Sequence, residues 1–315
     1  MDSARPLPPA NALNSSMGTP EETASLRRFL SATAVLLLCF SLPLFQVMRF
    51  ALQSAFSSYI VLVPFISGYL LWLERPGFYP AGRLLPVGWA AVLWTLGLGF
   101  LIWAGLLFFG ASQPDFIELL AVCMYALVLL LAGFACYFLG RRTLRHFLFP
   151  LVFLLFLAPF PAAVESQLET ILQHGSSAVA HAFFVVAGMP VMRTGTYFQL
   201  PGFSMQVAPE CSGLRSSMAL FLTSLVAGQL FIRSPWKRTI LALIVLPLAL
   251  LRNGFRVFVI GELCVQIGPE MIDSWIHHHG GPLFFGLSLI PFSLILYYLY
   301  KSELPTGPPV RPHQN

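Results

Sequence analysis

The chain is a succession of long apolar runs separated by short polar links. Uncharged stretches cover Phe29–Met48, the continuation after Arg49 to Leu73, residues 86–109, Leu119–Gly140, Phe147–Ala158, Gly213–Ile232, Thr239 to about Ile260, and Pro282–Tyr300. A bilayer core takes about 20 apolar residues per helix, so most of these runs have the length of a membrane span. The fifth is short and ends at Pro159 and Pro161. The pattern predicts an all-α polytopic membrane protein with about eight transmembrane helices. One interval interrupts the series. From Ala162 to Met189, Glu165, Glu169, Gln173, His174 and His181 recur among apolar positions, the pattern of an amphipathic helix lying on the interface rather than crossing it. Val191–Gln199 and Phe203–Val207 have β-rich character around Leu200-Pro201-Gly202, which predicts a short β-hairpin.

Composition excludes a soluble enzyme. Hydrophobic residues make up 57% of the 315 positions and charged residues 10%, against about 25% charged in an ordinary soluble domain. The net charge of +5 is modest; it gathers in short loops and reads as a topology signal, not as affinity for nucleic acid. Arg27 and Arg28, the 74–83 link, Arg141-Arg142 with Arg145, the 233–238 link and Lys301 all fall on one side if 162–212 does not cross. The positive-inside rule then makes both termini cytoplasmic in a multi-pass protein of the cell (inner) membrane, and leaves 162–212 and 261–281 exoplasmic. Residues 1–25, rich in Pro, Ser, Asn and Thr with no apolar core, read as a disordered cytoplasmic tail rather than a cleaved signal peptide. Residues 26–301 form a single transmembrane domain in this reading, and 302–315 a second disordered tail.

Three polar clusters reach the same depth. Cys211 lies just before the sixth run. Counting from Thr239 at about 1.5 Å per residue, Arg252 is about 20 Å and Arg256 about 26 Å up a core about 30 Å thick. Counting back from Lys301, Gly281 and therefore His277, His278 and His279 also reach the outer interface. A cysteine at a helix N-terminus beside arginines favours its thiolate, and Arg215, Arg252 and Arg256 are the available cations. Histidine shuttles protons near neutral pH. Arginine stays charged and suits an oxyanion or a carboxylate. Together these suffice for acyl transfer through a thioester.

Plainer readings stand beside this one. Cys211 pairs in a disulfide with Cys264, the other of the five cysteines that faces an oxidising exoplasm. Arg252 snorkels to headgroups, whereas Arg256, next to Asn253 and Gly254, is more committed because intramembrane charge is costly. Three successive histidines point in different directions on a helix, so one or two at most serve one site. A metal built from them with Glu262 or Asp273 matches no recognised ligand spacing, so no metal or other cofactor is expected.

At these residues the chain resembles the exosortase/archaeosortase family of multi-spanning membrane cysteine transpeptidases. The resemblance covers roughly residues 55–300. It is carried by Gly188-Met189-Pro190-Val191, Leu200-Pro201, Val207-Ala208-Pro209-Glu210-Cys211-Ser212-Gly213-Leu214-Arg215-Ser216, then Asn253-Gly254-Phe255-Arg256, then His277 four residues ahead of Gly281. It implies Cys211 as nucleophile, Arg256 as oxyanion or substrate stabiliser and His277 as acid/base, with Glu210, Ser212, Arg215, Arg252, Asn253, His278 and His279 in support or substrate binding. The implied substrates are secreted proteins with a C-terminal sorting signal: a Pro-Glu-Pro-type motif, a transmembrane helix and a basic tail. The acyl group would pass to an acceptor on the cell envelope, a glycan or lipid among the possibilities. Two other classes fit a polytopic chain. A transporter places polar groups near the midplane, and here they gather at one face; a non-catalytic assembly factor for polysaccharide export shares the topology and is separated only by activity.

Overall fold

A computed structural model describes residues 20–54, 56–73, 87–110, 115–139, 141–273 and 280–304. The all-α expectation holds, with one small sheet. The chain divides into two compact units, residues 1–161 and 162–315.

The first unit contains α1 (Pro20–Cys39), α2 (Ser41–Gln53), a 3-10 turn (Ser57–Val61) leading into α3 (Leu62–Leu73), α4 (Val87–Phe109), α5 (Phe116–Phe138) and α6 (Arg141–Phe153), which ends in a 3-10 turn, Leu154–Leu157. Helix α1 reaches back to Pro20, inside the stretch expected to be a tail. Proline at the first helical position is a start signal that lies outside any apolar run. The expected first span, Phe29–Met48, is broken: α1 and α2 bend by 65° about Phe40. Pro43 has no N–H to offer the Cys39 carbonyl and its ring crowds that carbonyl. Asp115 caps α5, its carboxylate accepting the Ile117 N–H at 3.0 Å. Helices α4 and α5 pack closely, Gly97 against Leu130 and Gly133 against Trp94. Phe29, Ala135, Leu139, Phe147 and Leu151 join α1, the end of α5 and α6 in one buried cluster.

The second unit positions the candidate site. It contains α7 (Ala162–Val186), β1 (Met192–Thr194), β2 (Tyr197–Leu200), β3 (Phe203–Gln206), a 3-10 turn (Pro209–Cys211), α8 (Leu214–Phe231), α9 (Pro235–Gln266), a 3-10 turn (Pro269–Asp273) and α10 (Gly281–Lys301). At 32 residues, α9 starts earlier and ends later than the expected span. Pro235 stands at its first position, and nothing between Ile260 and Gln266 breaks the helix.

Helices α7 and α9 meet through small residues. A Cβ on Gly254 would stand 2.6 Å from Val179 Cγ1, one on Gly261 2.6 Å from Phe184 Cζ, and one on Gly175 2.7 Å from Leu250 Cδ2. Gly254 and Gly261 are seven residues apart, two turns along one helix face, so the backbones approach closely over that length.

The sheet is a three-stranded antiparallel meander in place of the expected single hairpin. Its second hairpin lies where expected, with Leu200 opposite Phe203 and Pro201-Gly202 at the turn, Gly202 at φ 72°. The strand missed was β1, paired with β2 so that Thr194 faces Tyr197. Its turn residues are Gly195-Thr196, inside the Val191–Gln199 segment expected to form one arm of the hairpin. Phe198, Leu200, Met205 and Val207 face inward and join Ala180 and Phe184 of α7 and Val257 of α9 in a second buried cluster.

Among the described residues, five helices (α4, α5, α8, α9 and α10) are long and apolar enough to cross a membrane. The count rises to seven if α1 with α2, and residues 143–157 with α7, are each one broken span. Many apolar side chains on these helices are exposed, Phe109, Leu106 and Leu294 among them, as lipid-facing surfaces require.

Candidate active site

Cys211 closes the 3-10 turn between β3 and α8. Ala208 is extended and Pro209 opens the turn. The Cys211 N–H donates to Ala208 O and the Ser212 N–H to Pro209 O, each at 2.9 Å. Gly213 then adopts the left-handed conformation, φ 77° and ψ 15°, and α8 begins at Leu214. The sequence reading put the cysteine at a helix N-terminus. It lies instead just ahead of the left-handed N-cap, outside the first turn, where the helix macrodipole acts only weakly.

The turn is held from three sides. Behind it, Gln173 Nε2 on α7 donates to Val207 O, and the Val207 N–H donates to Thr196 O at 3.0 Å. Beneath it, the half-buried Cys211 packs against the cluster of Phe198, Leu200, Met205 and Val207. From α9, Asn253 Nδ2 donates to the Cys211 carbonyl at 2.8 Å. Arg252 Nη2 donates to Gly213 O at 3.3 Å and to Ser217 Oγ at 3.2 Å. Ser217 Oγ in turn donates to Gly213 O at 2.8 Å, and Ser216 Oγ to the same carbonyl at 3.0 Å. A Cβ on Gly213 would lie 2.9 Å from Asn253 Cγ and Oδ1 and 3.2 Å from Arg252 Nη2. The two α9 side chains thus occupy the space that any other residue at 213 would need.

The remaining singled-out residues are distributed unevenly. Arg252 and Asn253 are buried, 7% and 3% exposed. Arg252 therefore does not snorkel to headgroups, since such a side chain keeps its charged end outside. Arg256 is half-buried one turn further along α9, and Arg215 is exposed in the first turn of α8. Ser212 is buried, and its Oγ accepts the Leu214 N–H at 3.4 Å. Glu210 sits in the 3-10 turn itself. His277, His278 and His279 lie outside the described residues. Cys264 is buried in α9, and no disulfide joins it to Cys211. Among the described residues no three His, Cys, Asp or Glu side chains are grouped to hold a metal, and Glu262 accepts a hydrogen bond from the Gln266 amide on its own helix.

Sequence reasoning missed Gly213, Ser217 and Gln173 as members of the site. Gly213 carried a signal, since a glycine directly before an apolar helical run marks a position needing positive φ. Ser217 and Gln173 carried none, because each meets a partner distant in sequence, Arg252 donating to Ser217 Oγ and Gln173 donating to the Val207 carbonyl.

The arrangement offers a half-buried thiol on a turn fixed by its own carbonyls, with two arginines one turn apart on the helix that fixes it. That is a scaffold for acyl transfer at a cysteine. No curated protein and no solved structure matches the chain. Residues 51–294 match the family model of the transmembrane exosortase (EpsH). With the match spanning most of the chain and both polar motifs of the second unit, the protein belongs to the transmembrane exosortase family, generally membrane cysteine transpeptidases.

Proposed function

We propose that the protein cleaves a C-terminal sorting signal on secreted proteins at the outer membrane interface, through Cys211, and transfers the acyl group to an envelope acceptor. The signal consists of a short motif of the Pro-Glu-Pro type, a transmembrane helix and a basic tail. Both termini are cytoplasmic and the site is exoplasmic, by the distribution of Lys and Arg.

His277 takes the proton from the Cys211 thiol. Sγ then attacks the carbonyl carbon of the peptide bond near the motif; the C–S bond forms and the carbonyl π pair moves to oxygen. Arg256 balances that oxyanion. Collapse breaks the C–N bond, and the amine of the departing helix and tail takes the proton from His277. An acceptor amine or another nucleophile attacks the thioester next, its proton passes to His277, and the thiolate leaves. Arg215, exposed at the start of α8, binds an acidic residue of the signal in this reading.

The observation that carries this reading is the 2.8 Å bond from Asn253 to the Cys211 carbonyl. It brings two motifs separated by 42 residues into direct contact, which a cysteine serving only as packing would not require. Replacing Cys211 by Ala or Ser is expected to leave the protein in the membrane while unprocessed substrate accumulates. Mass spectrometry of a co-expressed substrate's new C-terminus reads both the cut site and the group attached. Unchanged processing in both variants would exclude Cys211 as nucleophile.

A further inference from the structure

Arg252 and Asn253 are adjacent, both buried, and both direct their donors onto backbone carbonyls of one turn. Asn253 holds the carbonyl of Cys211 and Arg252 that of Gly213, together with Ser217 Oγ. Among the described residues no acidic side chain pairs with Arg252. A guanidinium buried in this way is costly unless its surroundings use its charge or its donors. Here Arg252 Nη2 is used by Gly213 O and Ser217 Oγ and Asn253 Nδ2 by Cys211 O, so the two carbonyls held lie one residue either side of Ser212. The left-handed Gly213 lets the chain turn between those two contacts, and the missing Cβ leaves room for both side chains.

We propose that Arg252 and Asn253 form a clamp that sets the position of Cys211, Arg252 being a positioning residue and not a ligand for the substrate. Its catalytic meaning rests on the reading of Cys211 as nucleophile; its geometry does not. Arg256 is on the same helix, one turn on. The clamp therefore fixes the relation between Cys211 and Arg256 through rigid helix α9 rather than through a loop, which is the kind of support a reactive group needs to stay aligned.

One atom separates the two roles of Arg252. Its Nη1 is buried and has no hydrogen-bond partner among the described residues. A substrate ligand would use that nitrogen, whereas a clamp needs only Nη2.

The test uses the full-length protein in membranes and reads the alkylation of Cys211 by iodoacetamide across a pH series, by mass spectrometry of the Cys211 peptide. Asn253→Asp removes the donor to Cys211, and Arg252→Gln removes the reach to Gly213 and Ser217. Each is expected to change the alkylation rate by about tenfold and to displace its pH midpoint, the scale of one lost hydrogen bond. Arg252→Lys keeps a donor and a charge there and is expected to stay within about threefold of wild type. On the substrate whose processing stops in Cys211→Ala, the first two variants lower kcat about tenfold and leave KM within about twofold.

Unaltered alkylation in both variants overturns the clamp. So does an Arg252→Gln enzyme whose KM rises while kcat is kept, which makes Arg252 a ligand. If those variants fail to insert, Ser217→Ala decides: it removes one acceptor of Arg252 and is expected to change alkylation about threefold, and no change overturns the arginine arm. Because alkylation does not need turnover, a failed clamp and a failed nucleophile assignment give different results.

Discussion

At the scale of single residues, the position under most constraint is Gly213. Its φ of 77° disfavours any side chain, and a Cβ there would stand 2.9 Å from the Asn253 amide. Gly213→Ala should therefore combine a backbone penalty of about 1 kcal/mol or more with displacement of Asn253 from the Cys211 carbonyl. The expected outcome is a properly inserted protein with at least tenfold less processing, about what one lost hydrogen bond implies. Gly188→Ala is the control: its φ of 73° carries the backbone penalty, but nothing lies within 4 Å of the added Cβ. Equal loss in the two variants would mean that backbone strain, not contact with Asn253, explains the Gly213 effect. The residues that could be read from sequence were those with unusual chemistry for their surroundings: a cysteine in a polar knot, and arginines in an apolar run. Ser217 and Gln173 could not be read, because a serine that accepts from a remote arginine, or a glutamine that donates to a remote carbonyl, has the same sequence appearance as one facing solvent.

At the scale of elements, α9 is the organising piece. One face carries Gly254 and Gly261 against Val179 and Phe184 of α7, and another carries Arg252 and Asn253 against the cysteine turn. Gly254→Val should force α7 away from α9. Overpacking of this kind costs about 1–3 kcal/mol, measurable as a lower unfolding temperature in detergent; the same change at Gly286, where nothing lies within 4 Å of an added Cβ, should be far milder. The apolar runs located the helices because burial in lipid demands about 20 such residues whatever the tertiary fold. The breaks were less legible. Pro43 bends the first run at Phe40, but Pro247 and Pro291 stand inside continuous helices, and only packing distinguishes these cases. The β-rich segment was recognised by its aromatic and β-branched content, while Gly195-Thr196, which divides it into β1 and β2, was hidden inside a run with no proline beside the glycine.

At the scale of the whole molecule, α8, α9 and α10 are tied together at one end by Glu303. Its carboxylate accepts the Arg233 N–H at 2.8 Å and the Ser234 N–H at 3.0 Å, at the start of α9, and stands 3.8 Å from Lys237 Nζ. The hydrogen bond from Arg233 first, then that from Ser234, with the nearby Lys237 charge, hold its pKa below the ordinary carboxylate value. A carboxyl with a depressed folded pKa contributes stability that is present above the unfolded value and lost as pH falls through the folded one. Wild type should accordingly lose unfolding temperature more steeply on acidification than Glu303→Gln, over the range beginning near the unfolded carboxyl's pKa and ending below the folded one. Parallel curves would show that this carboxylate contributes nothing to acid stability. Topology is tested at the same scale. Single cysteines placed at Ser234 and at Gly195 should react with membrane-impermeant maleimide from opposite sides, Gly195 from outside the cell. Labelling of both from one side contradicts the proposed orientation.

The wall beneath Cys211 has a bearing on product identity. Phe198, Leu200, Met205 and Val207 are apolar and at most 9% exposed, and Cys211 packs against the cluster they belong to. In the proposed reaction a thioester held on that surface would be sheltered from water on one side, so its lifetime would be set by which nucleophile approaches from the other. Such shelter would favour aminolysis over hydrolysis, and the branching between the two would become a property of this wall. Val207→Thr, nearly unchanged in shape but polar, should raise the share of hydrolysed product relative to transferred product at constant turnover of substrate. An unchanged ratio would mean that the acceptor's own affinity, and not dryness, decides the fate of the acyl group.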